Sequence, residues 1–254
     1  MSNIKETFTN YLIKHGINKG VLPTGEKWQG IRALLFDMDG VLYDSMPNHA
    51  VAWQKSMKQF GINMTAADAY ATEGARGIDT IRSFMKKQKG LDISLDEAQS
   101  MYDVKTQIFH TLPETRIFEG TKKLMQKAVD AGMIINVVTG SGQRPLIDRL
   151  LNDFKEFLTE DHITTAYDVK RGKPFPDPYL SGLKKAGNFK PCEAIVVENA
   201  PLGVRSGVAA DIFTVAINSG PLPDSALNNE GAGILYQNIV EFCNDFDNLA
   251  ELHK

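Results

Sequence analysis

Apolar residues recur along this chain with two different periods, and the changes between them divide it. Ile4, Phe8, Tyr11 and Leu12 fall at i, i+4, i+7 and i+8, the spacing of one helix face. Gly20, Pro23, Gly25 and Gly30 then break the pattern. Residues 1–29 therefore read as an extension, either a helix docked on the body or a poorly ordered arm. Ile31-Arg32-Ala33-Leu34-Leu35 is a short apolar run ahead of a glycine turn, which predicts a buried strand. From Ser45 to about Arg116 the spacing is helical. Ala50, Trp53, Met57 and Phe60 share a face, and Gly61 ends that helix. Thr65 with Asp68, and Ser94 with Glu97, are N-capping pairs that open further helices. Beyond Phe118 strands and helices alternate. Helix 121–131 ends at Gly132, and a strand over 133–138 leads to a helix starting near Arg144-Pro145. A strand over 163–166, a helix over 178–186, a strand over 194–197 and a helix over 202–209 follow. Strands over 212–217 and 233–236 complete the set.

Alternation of this kind predicts an α/β fold, a Rossmann-like parallel sheet with helices on both faces. An inserted α-helical cap would interrupt it after the first strand. The expected organisation is an N-terminal extension (1–29), a catalytic core (30–45 and 117–254) and a helical cap (46–116).

Composition narrows the partners. The 254 residues are 43% hydrophobic and 23% charged, with a formal net charge of −3. That balance supplies no basic footprint for nucleic acid and no polybasic patch for a membrane. No apolar run approaches a membrane span, and the N-terminus lacks the apolar stretch of a secretion signal. Two cysteines, Cys192 and Cys243, have neither metal-binding spacing nor a disulfide framework. The expectation is a cytoplasmic protein, a monomer or weak oligomer, whose partner is a small molecule.

The chemistry lies at the expected strand ends. The first strand runs into Phe36-Asp37-Met38-Asp39-Gly40, two carboxylates at i and i+2 where strand becomes loop. Strand 133–138 delivers Thr139, the loop after 163–166 delivers Lys173, and strand 194–197 delivers Glu198 and Asn199. If these strands are parallel neighbours, all of these groups converge on one sheet edge, where α/β folds bind ligands. Hard oxygen donors with few carboxylates suit Mg²⁺. Without a cation, two such close carboxylates would repel and raise one pKa.

DMDGVLYDS, VVTGS, GKPFPDPY and VVENAPLGVRSG together resemble the four ordered motifs of the haloacid dehalogenase (HAD) phosphatase superfamily. The helical insert resembles the cap of its β-phosphoglucomutase branch. The resemblance runs from about Ile31 to the C-terminus. It implies that Asp37 is a nucleophile forming an aspartyl-phosphate and Asp39 the general acid/base. It implies that Thr139 and Lys173 hold the phosphoryl oxygens, with Gly140 and Ser141 beside them as substrate-binding candidates. Ser141 and Gln143 either reach substrate or cap the following helix. Asp37, the Asp39 carbonyl, Glu198 and Asn199 match the Mg²⁺ positions.

Two departures bear on the substrate. The family usually has aspartate where Asn199 stands, so one negative charge is missing. In the mutase the matching cap loop carries lysine at the Glu73 position and arginine at the Gly77 position, and that arginine grips a second phosphate. Here Glu73 reverses the charge and Gly77 offers nothing to grip with. Arg76 is the nearby candidate to replace it, and Glu73 the candidate to supply the missing carboxylate. His49 matches a cap-hinge histidine, which serves as a proton relay or lies on the helix surface. The whole pattern is similar to the HAD-type inorganic pyrophosphatases of bacteria, which implies hydrolysis of pyrophosphate or a similarly small phosphoanhydride. The alternatives are a β-phosphoglucomutase, a small sugar-phosphate phosphatase, or a non-catalytic binding protein on the same fold.

Overall fold

The structure is a computed structural model that describes residues 4–250; residues 1–3 of the expected extension and residues 251–254 lie outside it. The sheet is made of β1 (Ala33–Phe36), β2 (Ile134–Val138), β3 (Ile163–Thr164), β4 (Ala194–Glu198), β5 (Phe213–Ile217) and β6 (Ile234–Tyr236). All pairings are parallel and the order is β3-β2-β1-β4-β5-β6. The chain winds outward from β1 in one direction and from β4 in the other. The crevice between the ends of β1 and β4 is therefore the topological switch point, where ligands bind in such sheets.

The strands read as continuous apolar runs because both faces of the sheet are covered. Leu34, Phe36, Ile195 and Val197 face one apolar cluster. It contains Phe8 of α1 (Ile4–Lys14), Leu124 of α6 (Thr121–Asp130), Leu150 of α7 (Arg144–Asp153) and Phe242 of α11 (Ile239–Ala250). Ala33, Leu35, Ala194 and Val196 face the other side, against Tyr179 and Leu183 of α8 (Asp177–Lys185). The remaining core helices are α9 (Pro201–Ala209) and α10 (Asp224–Asn228). Neither α10 nor α11 was anticipated, although Phe242, Phe246 and Leu249 of α11 are buried at helical spacing.

Of the two expectations for the N-terminal segment, docking is the one observed. Phe8 is fully buried, with ring centroids at 5.0 Å from Phe213, 5.6 Å from Tyr11 and 6.2 Å from Trp28. Tyr11 donates its hydroxyl hydrogen to the Asp211 carbonyl at 2.6 Å. Strand β3 is shorter than expected. The Asp168 carboxylate accepts from the Thr165 backbone N–H at 2.7 Å and turns the chain out of the sheet.

The insert between β1 and β2 is entirely helical: α2 (Met46–Gln59), α3 (Ala66–Ala71), α4 (Gly77–Lys89) and α5 (Leu95–His110). The capping boxes at Thr65/Asp68 and Ser94/Glu97 are both formed. Trp53, Met57, Ile81, Phe84 and Met101 build an apolar cluster of the insert's own, shared with no strand. Ser45 makes no capping bond because its hydroxyl is committed to Asp39, and Asp44 pairs instead with Arg116 at 3.1 Å. Among the described residues no helix is long and apolar enough to cross a membrane, and Cys192 and Cys243 are free and buried.

The packing makes α1 part of the core. Phe8→Ala should destabilise the protein by about 3–5 kcal/mol. Chemical denaturation of the full chain measures this as a lowered midpoint with an unchanged slope.

Candidate active site

Asp37 follows β1 directly, and its backbone N–H donates to the Val197 carbonyl of β4 at 2.9 Å. That bond sets its carboxylate at the switch point, where it is almost fully buried. Lys173 crosses from the loop before α8 and makes three contacts there. Its ammonium donates to Asp37 Oδ1 at 2.5 Å, to Glu198 Oε1 at 2.6 Å and to the Val138 carbonyl at 3.1 Å. The Tyr179 hydroxyl donates to the same Glu198 oxygen at 2.7 Å. The other Glu198 oxygen accepts from the backbone N–H groups of Asn199 and Ala200 at 2.9 and 3.2 Å, at the N-terminus of α9. Gly203 makes room for it: a Cβ there would lie 1.8 Å from Glu198 Oε1.

One ammonium between two carboxylates leaves a negative charge over. Burial pushes the Asp37 carboxyl well above its usual range; Lys173 opposes this, while Glu198 and Asp39 add to it. Burial also works against the Lys173 ammonium, but the Asp37 and Glu198 charges prevail and hold its pKa above the usual lysine value. Asn199 Oδ1 is buried beside this cluster with no hydrogen-bond partner. Excess buried negative charge and an orphaned carbonyl oxygen are what a small hard cation would satisfy. Among the described residues no three His, Cys, Asp or Glu side chains form a ligand cluster by themselves. A cation here would draw on the Asn199 carbonyl oxygen and on water as well.

Asp39 is held from the insert side. Ser45 donates to its Oδ1 at 2.6 Å and His49 Nε2 lies 3.1 Å from the same oxygen. His49 Nδ1 lies 2.8 Å from the ammonium of Lys105 on α5. An ammonium only donates, so this partner assigns the tautomer: Nδ1 accepts, and Nε2 carries the hydrogen donated to Asp39. Burial acts to raise the Asp39 carboxyl, but the His49 ring, the Ser45 hydroxyl and the Lys105 charge outweigh it and hold it below its usual range. Lys105 is itself buried, 5.2, 5.7 and 5.1 Å from the ring centroids of Trp53, Tyr102 and Phe109. Burial brings its pKa down to about 8, against the opposing charges of Glu73 and Asp39.

The remaining candidates are distributed around this pair. The Thr139 hydroxyl accepts from the Ser141 N–H at 3.0 Å, and the Ser141 hydroxyl accepts from the Gln143 N–H at 3.3 Å. Gly140 lets the insert approach, since a Cβ there would lie 2.6 Å from the Gly74 carbonyl oxygen. A cavity of about 20 Å³ lies between insert and core, lined by Asp39, His49, Glu73, Tyr102, Lys105, Gly140 and Ser141 among others. Burial raises the Glu73 carboxyl above its usual range. Arg76 is placed elsewhere. Its guanidinium is taken by Asp79, at 2.7 and 3.1 Å, and by the Lys170 carbonyl at 2.9 Å. It lines a neighbouring cleft with Arg171, Lys173 and Phe175, which shares Thr72, Ala75 and Thr80 with the Asp39 cavity.

Three contributors escaped the sequence reading: Lys105, Tyr102 and Tyr179. Lys105 left a signal, because Met101, Lys105 and Phe109 share one buried face of α5 and a lysine there demands a partner. Tyr102 left none, since an aromatic residue at helical spacing also suits a core, and Tyr179, the last residue of GKPFPDPY, gave no sign of its bond to Glu198.

Known proteins place this site in a family. A family model of haloacid dehalogenase-like hydrolases matches residues 34–217. This chain belongs to the haloacid dehalogenase-like hydrolases. Over 190 residues this HAD protein is 33% identical to hexitol phosphatase A of Escherichia coli strain K12, covering 74% of this chain and 83% of that protein. It is 28% identical over 247 residues to β-phosphoglucomutase of Mycobacterium bovis, covering 83% and 91%. A solved structure from Bacteroides vulgatus, provisionally described as a β-phosphoglucomutase, superposes with a TM-score of 0.90 at 43% identity over 100% of both chains. The segment before residue 30 therefore has a counterpart in that structure.

The buried ammonium of Lys105 gives a test with two readouts. Lys105→Met should lower turnover by about 10²-fold, because Asp39 loses the partner that orients His49. In the wild type the unfolded chain keeps this proton up to the usual lysine value of 10.5, whereas the folded chain releases it near about 8. The unfolded state binds more protons in that window, so stability contributed by this group rises with pH across it. The variant should lack that component when denaturation is followed from pH 8 to 10.5.

Proposed function

We propose that this HAD protein is a Mg²⁺-dependent phosphohydrolase that works through an aspartyl-phosphate on Asp37 and acts on a compact substrate, inorganic pyrophosphate being the best fit. The observation that carries the compact substrate is the narrow space beyond Asp39. The Tyr102 ring lies where a side chain at position 77 would project, with a Cβ on Gly77 falling 2.0 Å from it. Glu73 closes the same cavity. The guanidinium of Arg76, the candidate to grip a distal phosphate in place of Gly77, is occupied by Asp79 and Lys170, which leaves the Lys105 ammonium as a cation lining the cavity itself.

The residues divide the work by position. Asp37 attacks phosphorus in line with the leaving oxygen and forms the acyl phosphate, splitting one displacement into two. Lys173 and Thr139 hold the phosphoryl oxygens, and Lys173 offsets the repulsion between carboxylate and phosphate. Asp39 gives a proton to the leaving oxygen and then takes one from the attacking water. The low pKa of its carboxyl in this arrangement suits the second role, and the approach of an anionic substrate raises it towards the first. Asp37, Glu198 and Asn199 would hold the cation; Glu73 is not gathered with them in this arrangement and would replace the charge that Asn199 lacks only once the cap shifts it towards the metal. When bound, Mg²⁺ supplies Lewis-acid polarisation of the phosphoryl group and charge neutralisation. Residues 46–116 act as a cap that excludes water during transfer.

A second reading follows from the relatives. The names hexitol phosphatase A and β-phosphoglucomutase favour a sugar- or hexitol-phosphate substrate, and none of the three relatives is named a pyrophosphatase. In that case the cap must open further to admit the larger leaving group.

Phosphate release from pyrophosphate, sorbitol 6-phosphate and β-glucose 1-phosphate, with and without Mg²⁺, separates the readings. The expected result is Mg²⁺-dependent release from pyrophosphate above the others, abolished in Asp37→Asn. Efficient use of the hexitol ester or conversion of β-glucose 1-phosphate, with pyrophosphate untouched, would sink the pyrophosphate assignment. Glu73→Ala should raise the Mg²⁺ concentration needed for half-maximal rate, by about tenfold or more. An unaltered Mg²⁺ titration would remove Glu73 from the metal shell.

A further inference from the structure

Two short segments join the helical insert to the core, residues 44–45 on the way out and 111–116 on the way back. On the return segment the bonding partners change sides within one residue. Thr111 and Leu112 donate their N–H groups to Ile108 and Phe109 of α5, at 3.0 and 3.1 Å. The Pro113 carbonyl accepts from Asn48 Nδ2 of α2 at 2.7 Å. These partners all belong to the insert. Beyond Glu114 they belong to the core or to the outgoing segment. Arg149 of α7 donates through Nη1 to the Thr115 hydroxyl at 3.1 Å and through Nη2 to the Thr115 carbonyl. Asp44 donates its N–H to the Arg116 carbonyl at 2.9 Å, and Phe118 donates to the Leu42 carbonyl at 3.0 Å.

Arg149 is braced for this task. Its Nε lies 3.2 Å from Asp153 Oδ2, and the same carboxylate oxygen accepts from the Tyr43 hydroxyl at 2.9 Å. Its guanidinium stacks 4.6 Å from the Tyr43 ring centroid. Tyr43 directly precedes the outgoing segment, so one planar cation grips both crossings of the chain at once. The contact of Arg149 with the exposed Glu114 carboxylate, at 3.2 Å, adds little.

We propose that Arg149 is a positioning residue that fixes the core end of a hinge. The pivots are then Glu114 on the return segment and Asp44–Ser45 on the outgoing one. Ser45 is both a pivot residue and a donor to Asp39, and His49 lies one turn further on. Pivots this short, one residue on the return segment and two on the outgoing one, return both donors to Asp39 each time the cap closes. Without the Thr115 contacts the free stretch lengthens to residues 114–115, and the closed arrangement becomes one of many. This rests on the reading of residues 46–116 as a closing cap.

Spin labels at Lys87→Cys in the insert and Lys155→Cys in the core of the full chain report the cap–core distance; Cys192 and Cys243 are buried. The probe ligand is Mg²⁺ with inorganic phosphate. The wild type should show a broad distribution that narrows to a short distance with the probe. Arg149→Met, which keeps an apolar stem over Tyr43, should stay broad with the probe, and Arg149→Lys should be intermediate. kcat/KM on the best substrate should fall about tenfold in Arg149→Met, following the lost closed population. An unaltered distance distribution in Arg149→Met overturns the proposal, even if its thermal stability drops. So does a single wild-type distance that ignores the probe. Because distance is read without turnover, a protein inert towards every phosphate compound would end the functional reading while still judging the hinge.

Discussion

The Lys173 ammonium, held between Asp37 and Glu198 where the sheet changes direction, is the contact on which the rest of the site depends. It joins the end of β1 to the end of β4 and reaches the Val138 carbonyl at the end of β2. Three strands are thereby tied at one point. Removing one member of so buried an arrangement leaves a charge without a partner, the costly case for any ion pair taken out of water. The arrangement is also unbalanced, with one positive and two negative groups. On the function proposed above, that imbalance is what a divalent cation would offset.

A second polar chain runs from the insert: Lys105, His49, Asp39, with Ser45 beside it. The two chains approach the same spot from different bodies. The nucleophile candidate is held by groups of the core, whereas the acid/base candidate is held by Ser45 and His49, at the start of the insert. If the insert moves as proposed, the surroundings of Asp39 change far more than those of Asp37. Chemistry that needs a proton only once substrate is enclosed gains from that division.

Packing explains how the two bodies stay separate. The insert buries its own cluster around Trp53, Met57 and Phe84, so it does not need the core to cover its apolar face. Its approach to the core is through glycines, Gly140 meeting the Gly74 carbonyl and Gly172 meeting the Arg76 stem, where any Cβ would intrude. Such contact is close and leaves each apolar cluster on its own side.

Much of this was legible in the amino-acid order. The strand ends carrying Asp37, Thr139, Lys173 and Glu198, the helical insert, both capping boxes and the family could all be read, because each rests on local periodicity or on residues adjacent in sequence. Helix α11 was legible in its spacing and still missed, and β3 was overextended because Asp168 turns the chain out early. What only the tertiary structure decided concerns partners far apart in sequence. Lys105 lies 66 residues from the Asp39 it serves through His49, Arg149 meets the return segment from α7, and Tyr102 fills the space opened by Gly77. Arg76, nominated by its position beside Gly77, is turned away by Asp79. A sequence states which groups exist and the local shape that each segment prefers. Which charges meet in the dark of a closed cavity depends on how separately folded pieces come together.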